Sequence, residues 1–172
     1  MDLTSRVLYI LGDHIDTDLI SPSKYMTDFD PRYLATIALR DAYPDFREKM
    51  SGGGILVAGK NFGCGSSRET APIALKEAGV LAIIADEFAR IFYRNAINIG
   101  LPCIICPGIQ ETVAVGDELR VNFVSGRIEN LTTGAIFEAA PIPDELINYF
   151  EAGGLINYLE QKLRSSGNDY EA

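Results

Sequence analysis

Three short runs of consecutive apolar residues, ILVA at 55–58, VLAIIA at 80–85 and LPCIIC at 101–106, are separated by stretches of helical pattern. A run that is apolar on both of its alternating faces must be covered from both sides. It therefore belongs inside a parallel sheet rather than on a half-exposed antiparallel one. Parallel neighbours need a crossover, and the intervening helices supply it. The first crossover helix is bracketed by its own residues. Pro72 is tolerated only in a first turn, which places the start near 69–71, and Gly79 suits the left-handed position that ends a helix. The second, within DEFARIFYRNAIN at 86–98, sets Phe88, Ile91, Phe92 and Ala96 on one side and closes at Gly100.

After Pro107 the texture changes. ETVAVGDELRVNF (111–123), GRIENLT (126–132) and TGAIFEA (133–139) alternate apolar with polar or turn residues, the pattern of short, mostly antiparallel strands. PDELINYFEAGGLINYLEQKLR (143–164) reads as one or two helices broken at Gly-Gly. Near the start, residues 7–11 form an apolar strand. About twenty residues of loop chemistry, rich in Asp, Ser, Thr and Pro, follow it. A loop of that length in a compact domain is usually functional or disordered. Asp30 and Pro31 are N-cap and first residue of a helix reaching about Asp41, with Leu34, Ile37 and Ala38 at helical spacing. Pro44 interrupts, and SGGG at 51–54 is a turn. The fold expected is α/β, with a central parallel sheet and a second, mostly antiparallel sheet. One domain covers 1–164, and a frayed tail follows at 165–172.

A net charge of −9 argues against a nucleic-acid or anionic-membrane surface, since both require clustered Lys and Arg. No apolar run approaches the ~18 residues that span a bilayer. The first residues lack the long apolar region of a secretory signal, so the expected location is cytoplasmic. Three cysteines, Cys64, Cys103 and Cys106, do not suggest a disulfide framework. Cys103 and Cys106 form a C-x-x-C, but inside an apolar run where cysteine behaves as a small hydrophobe. A structural zinc site would need more ligands, and the lone His14 does not supply them.

The chemistry concentrates in GKNFGCGSSRE at 59–69, between the first apolar run and the first helix. Residues 54–61, GILVAGKN, come within one residue of a P-loop, but Asn61 stands where a magnesium-binding hydroxyl is required. A dinucleotide fingerprint lacks its third glycine, because Arg68 follows Ser66 and Ser67. The loop leaves the C-terminal end of a parallel strand, where open α/β sheets place ligands. Gly63 and Gly65 allow unusual backbone angles and close approach of a ligand. Free N–H groups, the positive end of the helix and the Arg68 guanidinium together favour an anion, and a carboxylate suits Arg68 through paired hydrogen bonds. The competing structural reading is a capping box, S-x-x-E, from Ser66 to Glu69.

NFGCGSSRE (61–69), GDHIDTDLI (12–20) and FARIFYRNAINIGLP (88–102) occur in an order that closely resembles the small subunits of 3-isopropylmalate dehydratases, in the aconitase superfamily. The resemblance covers most of 7–160 and implies a swivelling β/β/α domain. It implies a hydro-lyase that dehydrates and rehydrates a small hydroxy di- or tricarboxylic acid. A [4Fe–4S] cluster is carried by a separate large subunit, which is the expected partner, and this chain binds none. By resemblance Ser66 is the catalytic base. Ser67 and Arg68 contact the substrate carboxylate, and Asp18 and Ser21 of TDLIS line the site. For Asp18 a simple turn-capping role is an equal reading. Arg94 and Asn95 are expected to hold the second helix in place.

Tyr25, Met26 and Thr27 occupy a specificity loop. Relatives that accept a second polar arm carry an arginine near here, whereas this chain reads YMTDFD (25–30) and has none before Arg32. An apolar arm on the substrate is the expectation. A homoaconitase-type small subunit or another 2-hydroxyacid hydro-lyase is the alternative within the class. A non-catalytic anion-binding module is the alternative outside it.

Overall fold

The computed structural model describes residues 1–166. β1 (Asp2–Ile10) leads through α1 (Thr17–Ile20), α2 (Pro31–Ile37) and α3 (Phe46–Met50) to β2 (Gly54–Ala58). Two crossovers follow: α4 (Thr70–Ala78) to β3 (Val80–Ala85), and α5 (Arg90–Asn98) to β4 (Cys103–Ile105). The chain ends in β5 (Glu118–Asn122), β6 (Arg127–Asn130), β7 (Ile136–Glu138), α6 (Asp144–Ala152) and α7 (Leu155–Ser166). The strands form one sheet in the order β4-β3-β2-β1-β5-β6-β7, parallel from β4 to β1 and antiparallel from β1 to β7.

The parallel and antiparallel sheets expected from the sequence are both present, but as two halves of one continuous sheet, because β1 pairs into both. Its polar first half pairs antiparallel with β5, Asp2 opposite Asn122 and Arg6 opposite Glu118. Its apolar second half pairs parallel with β2, Val7 opposite Ile55 and Ile10 opposite Val57, with a bulge between Val7 and Tyr9. The local pattern predicted only 7–11 as strand, because DLTSR has no apolar face of its own and becomes a strand by pairing.

β2 is buried along its whole length, as a doubly covered strand must be. Leu56, Ala58, Ile83, Ala85 and Cys103 pack on one face against Leu34 and Ile37 of α2, Phe46 and Met50 of α3, and Ala74 and Leu75 of α4. Ile55, Val57, Ala82, Ile84 and Ile104 face the other way, toward Ile147 and Phe150 of α6. Cys103 and Cys106 are core residues, and burial pushes both thiols above their ordinary value. Both therefore stay neutral and unreactive.

α4 begins at Thr70 and ends at Gly79, whose φ of 114° is left-handed. Asp30 caps α2 by accepting from Arg32 N at 2.8 Å. α2 stops at Ile37 rather than near Asp41. Leu39 turns left-handed at φ 53°, is fully buried, and donates its N–H to Ile20 O at 2.9 Å. Burying that side chain outweighs one more helical turn. α5 likewise starts later than its sequence pattern, because residues 87–89 are drawn into pairing with Phe62. α7 runs through Ser166, two residues into the stretch expected to fray, and the rest of that tail lies outside the described residues. Among the described residues no helix is long and apolar enough to cross a membrane.

Candidate active site

The loops leaving β1 and β2 run side by side beyond the carboxyl ends of these parallel strands. Gly59 N donates to Gly12 O at 3.3 Å, His14 N to Lys60 O at 2.8 Å, Gly63 N to Ile15 O at 2.7 Å and Thr17 N to Cys64 O at 2.8 Å. Asp13 Oδ1 accepts from Lys60 N at 2.7 Å, and the His14 and Asn61 side chains meet at 3.2 Å. The loop after β3 closes the other flank: Phe62 N donates to Glu87 O and Ala89 N to Phe62 O, both at 2.9 Å. Phe62 is fully buried, edge-on to Phe92 at 5.1 Å and to Phe88 at 6.0 Å between ring centres. The glycine-rich segment is thus anchored through its backbone at 59–64.

Asp16 caps α1 by accepting from Leu19 N at 2.7 Å. That turn aims Thr17 inward, 1% exposed, and leaves Asp18 outward. On the facing loop Ser66 and Ser67 are exposed and Arg68 is half-buried. Thr17 Oγ1 lies 3.1 Å from Ser66 Oγ and donates to the Ser66 carbonyl at 3.1 Å. Arg68 Nη1 pairs with Asp18 and also donates to Ser21 O at 3.2 Å. Ser21, fully buried, donates from Oγ to Thr70 Oγ1 at 3.4 Å, at the start of α4. Asp18, Ser21, Ser66 and Arg68, drawn from segments almost fifty residues apart, are therefore brought together. Ser67 stands beside them and makes no side-chain hydrogen bond among the described residues. Both Arg68 contacts use Nη1, and no hydrogen bond from its Nε or Nη2 is made among the described residues.

The capping-box reading is not realised. The N-cap position of α4 is Glu69, without a side-chain cap, and the Ser66 hydroxyl is turned to Thr17 instead. Among the described residues no side chain caps the first N–H groups of α4. Asp18 is more than a turn residue, since it holds the Arg68 guanidinium. With its side chain 59% exposed, the pair contributes orientation more than stability.

Tyr25 ends a 3₁₀ turn that starts two residues after Ser21. Its hydroxyl donates to Asp41 Oδ1 at 2.8 Å, and Tyr33 OH donates to its carbonyl at 2.6 Å. Thr27 Oγ1 donates to Tyr33 OH at 2.9 Å, and Met26 is half-buried against the core. No arginine lies in this segment, yet Arg40 folds over the Tyr25 ring at 4.9 Å. Arg40 and Thr17 are the residues that sequence reasoning passed over. Thr17 carried a weak signal, as the residue just after the Asp16 cap, whereas nothing local pointed to Arg40. Arg94 is exposed, and neither it nor Asn95 makes a side-chain hydrogen bond among the described residues. α5 is held instead by Phe92 and Ala96.

The site is an open face. Two surface concavities, one around Ile73, Ile99 and Ile156 and one around Arg120 and Arg127, leave out Ser66, Ser67 and Arg68. Among the described residues no three His, Cys, Asp or Glu side chains converge to hold a metal ion.

Residues 15–107 match the family model described as the aconitase C-terminal domain. The chain is 52% identical over 155 residues to the isopropylmalate/citramalate isomerase small subunit of Methanocaldococcus jannaschii, covering 90% of this chain and 92% of that one. It is 48% identical over 148 residues to the 2,3-dimethylmalate dehydratase small subunit of Eubacterium barkeri, covering 86% and 91%. The crystal structure of a 3-isopropylmalate dehydratase from M. jannaschii superposes with a TM-score of 0.89 at 37% identity, over 98% of this chain and 99% of that one.

Proposed function

The chain belongs to the small-subunit family of 3-isopropylmalate dehydratases in the aconitase superfamily, and from that premise we propose that it forms half of a hydro-lyase active site. The reaction is the interconversion of 2-isopropylmalate and 3-isopropylmalate through an unsaturated diacid, in leucine biosynthesis. The observation that carries this reading is the pairing of Arg68 with Asp18 and the Ser21 carbonyl, beside an exposed Ser66 that is held to Thr17.

Ser66 Oγ is the base. It takes the proton from the carbon beside a carboxylate, the carbon's electron pair becomes the new double bond, and hydroxide leaves the neighbouring carbon. On rehydration the proton is returned. A serine alkoxide needs stabilisation, and the uncapped N–H groups of α4, its positive end and Arg68 offer it. Arg68, oriented by Asp18 and by the Ser21 carbonyl, binds a substrate carboxylate together with Ser67.

An open face suits this role only if a partner covers it, since proton transfer to an alkoxide is favoured where water is excluded. In this proposal the large subunit provides that cover. It also carries the iron–sulfur cluster, which supplies a Lewis acid for the departing hydroxyl.

The test is reconstitution. Turnover of 2-isopropylmalate is expected only when the chain is combined with a cluster-bearing large subunit. Anion binding by the chain alone, with no turnover in any such mixture, would leave a binding module instead.

The substrate arm is proposed to be apolar. The relatives named for isopropylmalate, citramalate and 2,3-dimethylmalate act on malates bearing small alkyl groups. In this chain Tyr25, Met26 and Thr27 place no cation of their own next to the site. Arg40 and Lys24, the cations beside this segment, both lie over the Tyr25 ring at 4.9 Å, and Lys24 is also paired with Asp41 at 2.9 Å. A buried carboxylate without a cation is strongly disfavoured. Met26→Arg is expected to shift the ratio of kcat/KM between isopropylmalate and a longer tricarboxylate by roughly 10–200-fold toward the latter. If both substrates decline together and the melting temperature falls, Met26 is a packing residue and the arm is chosen elsewhere.

A further inference from the structure

We propose that Thr17 is a positioning residue for proton transfer, a buried hydroxyl that swings between the carbonyl of Ser66 and its side chain according to the charge on Ser66. The inference rests on the reading of Ser66 as the base.

Thr17 Oγ1 lies 3.1 Å from two Ser66 atoms, the carbonyl oxygen and Oγ. A threonine hydroxyl has one proton. The carbonyl can only accept, so while Thr17 donates to it, the second contact must be donated by Ser66. In that state the serine proton points at Thr17. When Ser66 is the alkoxide it has no proton to give, and the Thr17 proton turns from the carbonyl to Oγ. A neutral hydrogen bond is exchanged for a charge-assisted one, which is roughly twice as strong. When Ser66 accepts the substrate proton, the Thr17 proton returns to the carbonyl. The proton on Thr17 never leaves its oxygen. The only proton transferred moves from the substrate carbon to Ser66 Oγ.

The surroundings favour such a device. Thr17 is 1% exposed, so water competes little for its hydroxyl. Its N–H is tied to Cys64 O at 2.8 Å, and the Asp16 cap holds the backbone on the other side. A β-branched side chain on a fixed backbone has few rotamers, which keeps Oγ1 aimed at the serine. Ser66 Oγ has no other hydrogen-bonding partner among the described residues. Ser66 is exposed, so its Oγ is accessible from outside the loop.

The test is a double-mutant cycle in the reconstituted two-subunit enzyme, with kcat, KM and melting temperature read for each variant. Thr17→Val keeps shape and removes the hydroxyl. It is expected to lower kcat by about 10–100-fold with KM within about threefold. Thr17→Ser keeps the hydroxyl and should hold kcat within about threefold of wild type. In a Ser66→Ala background Thr17→Val should cost less than about twofold, because its target is gone. Thr17→Ala reads the same cycle if the valine variant does not assemble. An equal loss in both backgrounds, or a serine variant as slow as the valine one, would show that Thr17 only ties the two loops together. A large loss for Ser66→Ala with an unchanged Thr17→Val overturns the role of Thr17 alone. Near-normal turnover of Ser66→Ala overturns the base assignment and the switch with it.

Discussion

Replacing Ser66 with alanine in the reconstituted enzyme is expected to lower kcat by about 10²–10⁴-fold, the usual cost of losing a proton-transfer group, while the melting temperature stays near wild type. The two halves of that expectation have separate grounds. The rate should fall because Ser66 presents an exposed hydroxyl in the loop that carries Arg68, just ahead of α4. Stability should hold because the hydroxyl does not cap the helix. Among the described residues its one hydrogen bond is to Thr17, which keeps a second bond to the Ser66 carbonyl. An N-cap serine would instead cost about 1 kcal/mol on removal and leave the rate alone. Steady-state kinetics and a thermal melt on the same preparation distinguish the two. Turnover near wild type would remove Ser66 from the chemistry.

Gly63→Ala should be the most disruptive single methyl in the loop. Gly63 has φ 78°, and an added Cβ would lie 2.2 Å from Phe92 Cγ. Phe92 is 1% exposed, edge-on to Phe62 and stacked with Phe88 at 6.4 Å between ring centres. It cannot swing away without opening that aromatic cluster. Left-handed strain of about 1–2 kcal/mol and overpacking of about 1–3 kcal/mol add to roughly 2–5 kcal/mol. For a chain of this size that corresponds to a fall in Tm of roughly 4–20 °C. Gly65→Ala is the control. Its φ of 96° carries similar strain, but the nearest atom to an added Cβ is Thr17 Oγ1 at 3.3 Å. Its loss should stay within about 2 kcal/mol. Equal melting temperatures for the two variants would mean that Phe92 yields easily and that the glycine-rich segment is not anchored through Gly63.

The sequence by itself determined the elements whose signals are local. Three apolar runs demanded a doubly covered parallel sheet, and β2 is buried from Gly54 to Ala58. Pro72 and Gly79 bracketed α4, and Asp30 with Pro31 opened α2, because cap and turn chemistry acts within a few residues. The loop at 59–69 marked a candidate anion site for the same reason, and the resemblance of 12–20 to small subunits added the facing loop. The tertiary structure decided what depends on distant partners. Asp2 to Arg6 became strand only by pairing with β5, more than a hundred residues away. Arg40 came to lie on Tyr25, and residues 87–89 gave up helix to pair around Phe62. From sequence Ser66 can be read as a cap, although the anion-site reading accounts for more of the motif, and its reactive role is implied only by the resemblance. Only the stitching of two loops from adjacent parallel strands turned the Ser66 hydroxyl toward Thr17 and set Arg68 against Asp18. Local propensities act over one helical turn, whereas a site is made of side chains whose separation is set by the pairing of strands.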